Sequence, residues 1–189
     1  NWTDAAWPMG MLLPPVAFAM LWIGLWLLGS FQPQERVWQA ALGQAKLMGL
    51  FSLGLSPFLH WHHRAPDELY FANAVWLLAL VFVFYLMSLN KMLARLAAML
   101  PDETLRVESQ LFSRMNRVLL SMTPIGFGVM YLFSFMDELP EILIHGVSMA
   151  AQFRPWLFMA FVLIPVSMTM SLLWKTKESI LASVFTPRQ

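Results

Sequence analysis

The chain has 189 residues, of which 59% are hydrophobic and 12% charged, and its formal net charge is +1. An ordinary soluble domain has roughly 25% charged residues, so this composition indicates a membrane protein. The small net charge argues against a nucleic-acid-binding protein, and the lack of cysteine excludes disulfides and thiolate metal sites. The length is that of a single domain.

Five apolar stretches fill most of the chain and are separated by short charged loops. Only a helix can carry so much apolar sequence across lipid with its backbone groups satisfied. The pattern therefore predicts an all-α integral membrane protein, built as one bundle of about five transmembrane helices. The predicted spans are residues 8–31, 40–59, 70–90, 118–136 and 155–174.

The first two spans contain residues that are unusual inside a membrane. Pro14 and Pro15 divide the first span, so its helix is expected to start near Pro15 or to bend there. A helix beginning at residue 16 would be short for a bilayer, which favours a span that includes residues 9–13. Lys46 lies near the inner end of the second span, where its long stem can reach the headgroups.

A helical hairpin is predicted to project from the membrane. The helix of the third span continues until Pro101, and a second helix opens at Asp102 and leads into the fourth span. Residues 137–154 are too polar to cross and are expected to hold a short interfacial helix. Pro124 and Pro165 are expected to kink the fourth and fifth spans.

The distribution of Lys and Arg predicts the orientation of the bundle. The hairpin contains five basic residues and the C-terminal tail three, whereas the two loops on the opposite side contain one each. This distribution predicts that the hairpin and the C-terminus lie in the cytoplasm and the N-terminus lies outside. The expected location is a bacterial inner membrane or another energy-transducing membrane. Four arginines of the hairpin are candidate contacts for anionic lipid or a partner, besides fixing topology: Arg95, Arg106, Arg114 and Arg117.

Histidines form the one dense cluster of ligand-type side chains. His60, His62 and His63 lie at the outer end of the second span, and His145 lies on the same predicted side. Neutral imidazole binds haem iron, zinc, copper and the magnesium of chlorophyll-type pigments. However, His62 and His63 are adjacent and point about 100° apart on a helix. An interfacial turn among headgroups is the favoured interpretation, and a cofactor site is the alternative.

Aromatic and hydroxyl side chains suggest contacts between helices or with lipid. Trp22 and Trp26 are four residues apart, so they share a helix face that lipid or another subunit can cover. Five hydroxyl residues in the last two spans are expected to form hydrogen bonds between helices: Ser121, Thr123, Ser167, Thr169 and Ser171. No carboxylate pair or motif of a known catalytic type is present, so an enzyme is not expected.

The preferred hypothesis is a non-catalytic subunit or scaffold of a larger membrane assembly. Its partners are then the lipid bilayer and other membrane subunits, without nucleic acid. One alternative is an electron-transfer or pigment-binding subunit that uses the outer histidines. The other is a small transporter or channel whose pathway includes Gln44, Lys46 and the prolines Pro57, Pro124 and Pro165.

Overall fold

Helices make up all the regular secondary structure of the part of the chain that the computed structural model describes, residues 9–99, 103–133, 146, 156 and 159–185. The elements are α1 (Met9–Leu27), a 3₁₀ turn (Leu28–Ser30), α2 (Arg36–Leu55), α3 (Phe58–Arg64), α4 (Leu69–Met99), α5 (Glu103–Phe133), a π-helical turn (Met159–Leu163) and α6 (Ile164–Phe185). The predicted all-α class is confirmed for these residues. The predicted interfacial helix at 137–154 lies outside them, apart from Gly146.

The chain divides into two compact units, residues 1–95 and residues 96–189. The first unit contains α1, α2, α3 and most of α4. The second contains the last turn of α4 together with α5, the π-helical turn and α6.

Two helices among the described residues have the length and apolar composition needed to cross a membrane. They are Gly10–Ser30 and Leu69–Met99, with mean hydropathies of 2.0 and 2.1 in their most apolar stretches. The first of these helices continues through Pro14 and Pro15 and already includes residues 9–13. The prediction of a helix that starts before Pro14 is therefore confirmed. Among the described residues α2, α5 and α6 do not reach this apolarity. The predicted spans 118–136 and 155–174 both include residues outside the described part.

Small residues bring α1 and α2 together in the first unit. The buried face of α2 includes Ala41, Ala45 and Gly49 at four-residue spacing, and this spacing lets two helix backbones approach closely. A methyl group added at Gly49 would lie 3.4 Å from the ring of Tyr85 on α4 and 3.5 Å from the ring of Trp22 on α1. Three helices therefore meet at this glycine.

The predicted second span is divided near its outer end. α2 ends at Leu55 and α3 begins at Phe58, because Pro57 has no N–H with which to continue the helix. The hydroxyl of Ser56 donates a hydrogen bond of 2.7 Å to the carbonyl oxygen of Leu53 and completes the last turn. The histidines consequently lie on a short separate helix.

α5 and α6 pack against each other in the second unit through faces that contain many polar side chains. The buried side chains at helical spacing on α5 are Leu105, Ser109, Ser113, Asn116 and Leu120, and those on α6 are Pro165, Thr169, Leu172 and Thr176. The side-chain amide of Asn116 donates to the carbonyl oxygen of Pro165 at 3.3 Å and to the hydroxyl of Thr169 at 3.2 Å. A role for Asn116 was not predicted from the sequence.

Pro165 disturbs the start of α6, where a π-helical turn precedes it. Because proline has no N–H, Pro165 cannot donate to the carbonyl of Phe161. The hydroxyl of Thr123 on α5 donates to that oxygen instead, at 3.5 Å. Thr123 and Thr169 thus make the predicted contacts between helices, whereas Ser121 bonds within its own helix. Ser167 and Ser171 are exposed.

We expect the ion pair between Glu108 and Lys175 to contribute little to stability. Its N–O distance is 2.5 Å, but the two side chains are 37% and 43% exposed. The substitution Glu108→Lys should therefore lower the free energy of unfolding by about 1 kcal/mol or less. Reversible unfolding in mixed micelles measures this change. Adding Lys175→Glu should restore the loss, and a double variant that unfolds as easily as the single one would contradict the pairing.

Candidate functional site

The predicted histidine cluster lies on α3, at one end of the first unit. His60 and His62 are half-buried and His63 is exposed. The neighbouring ring of Trp61 stacks on Phe71 with centroids 6.2 Å apart. Aromatic rings with polar edges are common at a membrane–water boundary. The surroundings of the cluster therefore suit the interfacial turn that the sequence favoured.

A metal site is not assembled by the residues that the structure describes. No group of three His, Asp or Glu side chains comes together among them. His145 lies outside the described residues. The Nδ1 atom of His62 is buried and has no hydrogen-bond partner in the described part. A zinc site uses three or four protein ligands, whereas one imidazole is enough to hold haem iron, and the cofactor hypothesis remains a prediction.

A cavity of about 380 Å³ lies at the opposite end of the first unit, where α1 ends. It is lined by Trp26, Leu27, Gly29, Ser30 and Lys46. The Nζ atom of Lys46 is 5.5 Å from the centroid of the Trp26 ring, which is within the range of a cation–π contact. We refer to these five residues as the Lys46 cavity.

Hydrogen bonds from α2 hold the wall of the Lys46 cavity in place. The side-chain amide of Gln39 donates to the carbonyl of Gly29 at 3.3 Å. The indole N–H of Trp38, whose side chain is fully buried, donates to the carbonyl of Phe31 at 2.9 Å. Both accepting carbonyls belong to the turn that follows α1. The turn between α1 and α2 is thus tied to α2 by side chains.

Lys46 is the one charged residue of the cavity lining. Among the described residues no carboxylate lies within ion-pair distance of its ammonium group, and its Nζ atom donates no hydrogen bond to them. The group lies beside the last turn of α1, and the C-terminal end of a helix attracts cations. Its N–H donors are nevertheless left for a ligand or for water.

The remaining predicted contact residues are distributed over both units. Trp22 and Trp26 are neighbours with ring centroids 6.3 Å apart, and only Trp26 is largely exposed, at 62%. Arg95, which belongs to the first unit, is exposed. The second unit contains three further exposed arginines, Arg106, Arg114 and Arg117. Of these, Arg106 contacts Glu103 at 3.3 Å.

The transporter hypothesis placed Gln44 and Lys46 on one pathway. Gln44 is exposed, whereas Lys46 reaches the end of α1. Side chains that are two residues apart on a helix point in directions about 160° apart. Gln44 and Lys46 therefore do not share a face of α2. The prolines of the hypothesis, Pro57, Pro124 and Pro165, are divided between the two units.

An apolar stripe on α5 is the site feature that the sequence analysis missed. Its six residues are 47% to 65% exposed and recur at intervals of three and four: Val107, Leu111, Met115, Val118, Met122 and Ile125. They lie on the face of α5 opposite to the one buried against α6. The spacing of these residues is present in the sequence, but the sequence does not show which apolar positions of α5 are covered by α6.

Comparison with protein-family models, with curated proteins and with solved structures finds no match for this chain. The class of this protein therefore has to be argued from its own helices and exposed residues. The described residues form an all-helical protein with two helices of membrane-spanning length and apolarity.

Proposed function

We propose that this chain is a multi-pass integral membrane protein of about five spans, and a non-catalytic subunit or scaffold of a larger membrane assembly. The exposure of α1 supports the membrane location. Leu13, Met20 and Leu27 are 73%, 69% and 73% exposed, and only 6% of the most apolar stretch is buried. Each such side chain left in water forfeits about 1.5–3 kcal/mol, a cost that lipid removes.

The core helix of a soluble protein can be as apolar as α1 or α4, but most of its residues are buried. In α4, by contrast, only 22% of the most apolar stretch is buried. The small-residue face of α2 adds support, because close packing through Ala and Gly is how helices associate when lipid competes with apolar side chains. The basic hairpin favours a cytoplasmic position for α5's N-terminal half.

The observation that carries the assembly role is the start of the apolar stripe on α5. Val107, Leu111 and Met115 are 65%, 53% and 47% exposed, and they precede the predicted span, which begins at residue 118. Acyl chains do not reach past the membrane boundary, so we assign this part of the stripe to a contact with another protein. Arg106 and Arg114 are exposed on the same helix. Their charge favours a partner whose amphipathic segment has acidic flanks.

We expect Leu111→Asp to release the partner. The substitution places a charge at the centre of an apolar contact, which should weaken binding at least tenfold. Native mass spectrometry of the gently solubilised protein measures the assembly and its released components. The wild type should appear in a heavier complex that resolves into other polypeptides. The control is Gln110→Asp, which adds the same charge at an exposed polar position next to the stripe and should leave the complex intact.

Other masses in this experiment would overturn the proposal in distinguishable ways. A wild-type monomer without partners would reject the assembly role, and assemblies of this chain alone would replace the partner with self-association. An added mass of a haem or a pigment would move the assignment to the histidine cluster. Recovery of the chain in the soluble fraction of cells would reject the membrane location itself.

A further inference from the structure

We propose that the Lys46 cavity binds the phosphate group of an anionic phospholipid in the cytoplasmic leaflet. The inference rests on the proposed membrane location and orientation, and it adds a ligand to them. In that orientation the end of α1 and the start of α2 lie at the cytoplasmic boundary, where anionic lipids are concentrated. The observations that support the site are its charge, its shape and the surface that leads away from it.

The charge of the cavity calls for an anion. Lys46 provides one ammonium group, and no carboxylate among the described residues neutralises it. The Nζ atom of Lys46 lies 5.5 Å from the centroid of the Trp26 ring, and an anion bound beside this cation would stabilise it further. Ser30 adds a hydroxyl to the lining; it donates to the carbonyl of Leu27 at 2.9 Å, and its oxygen can still accept a hydrogen bond from a lipid headgroup.

The shape of the cavity depends on Gly29. A Cβ atom at this position would lie 2.6 Å from the Nζ atom of Lys46, so any larger residue would displace the ammonium group. The absence of a side chain at Gly29 therefore leaves room for the ammonium group of Lys46 at the end of α1. The substitution Gly29→Ala should move this charge without removing it.

The surface beside the cavity distinguishes a lipid from a free anion. Trp26 and Leu27, which line the cavity, are 62% and 73% exposed. Ile23 and Met20 continue the exposed apolar face of α1 away from the cavity, at 52% and 69% exposed. A phosphate group at Lys46 would thus have a continuous apolar path on which its acyl chains can lie. Inorganic phosphate would use only the charged end of this arrangement.

The test is a lipid titration of the detergent-solubilised full chain followed by native mass spectrometry. Phosphatidylglycerol and phosphatidylcholine are the two probes, and inorganic phosphate is the third arm. We expect the wild type to retain one phosphatidylglycerol in preference to phosphatidylcholine. Lys46→Gln should weaken this binding at least about tenfold, because the site loses its charge-assisted hydrogen bonds to the phosphate group. Gly29→Ala should weaken it as well, although the charge is kept.

The matched control is Arg36→Gln, which removes an exposed cation from the start of α2 that does not line the cavity. An equal loss for Arg36→Gln and Lys46→Gln would indicate general attraction to the surface and would overturn the site. Displacement of phosphatidylglycerol by millimolar phosphate would reassign the cavity to a soluble anion. Unchanged lipid binding in folded Lys46→Gln and Gly29→Ala would reduce Lys46 to a cap for α1. None of these outcomes depends on whether Leu111→Asp releases a partner.

Discussion

Gly49→Leu should unfold far more easily than the wild type, by about 2 kcal/mol or more in the free energy of unfolding. The space at Gly49 is already limited, since a single added methyl would be in contact with Tyr85, Trp22 and Leu25 at 3.4, 3.5 and 3.7 Å. The further atoms of a leucine would have to displace these rings. Overpacking of this kind costs typically 1–3 kcal/mol. Reversible unfolding in mixed micelles provides the measurement.

Two matched variants separate this effect from helix propensity. Gly43→Leu makes the same change on the same helix, where nothing lies within 4 Å of an added Cβ, and it should be neutral or stabilising by up to about 1 kcal/mol. Gly49→Ala places only one carbon at ordinary contact distance and should be nearly neutral. If Gly49→Leu were as stable as Gly43→Leu, α1, α2 and α4 would not meet at this glycine.

The helices that the sequence predicted best are those whose apolar pattern is longest. The helix of residues 70–90 continues to the end of its described part at Met99, and α5 is helical from Glu103, the first residue described after the gap. Both follow from local rules, since long apolar runs favour helix and acidic residues favour helix starts. That the stem of Lys46 reaches the headgroups remains a prediction from its length.

The features that the sequence did not predict depend on contacts between helices. Asn116 appears in the sequence as one polar residue of a charged helix, and only the packing of α6 shows that it is fully buried against Pro165. The apolar stripe of α5 is defined by the packing of α6, which covers the opposite face and leaves these residues exposed. α6 itself continues to Phe185, beyond the predicted end at residue 174, because charged residues at Lys175 and Lys177 end a membrane span but not a helix.

Asn116→Asp is the second substitution for which we expect a large effect, a loss of about 3 kcal/mol or more in the free energy of unfolding. The wild-type amide donates to the carbonyl of Pro165 and to the hydroxyl of Thr169. A carboxylate has the same shape but donates nothing, and it places a negative charge beside the Pro165 oxygen. The position is fully buried, so the new charge is held away from water.

The matched control for this change is Gln110→Glu, which converts an amide into a carboxylate at an exposed position on the same helix. It should alter the free energy of unfolding by about 0.5 kcal/mol or less. Asn116→Ala should fall between the two, at about 1–2 kcal/mol, because it removes the donor without burying a charge. This order of three variants reports on the packing of α5 on α6. If Asn116→Asp and Gln110→Glu unfolded alike in mixed micelles, Asn116 would face solvent or lipid, and the polar contact that joins α5 to α6 would be absent.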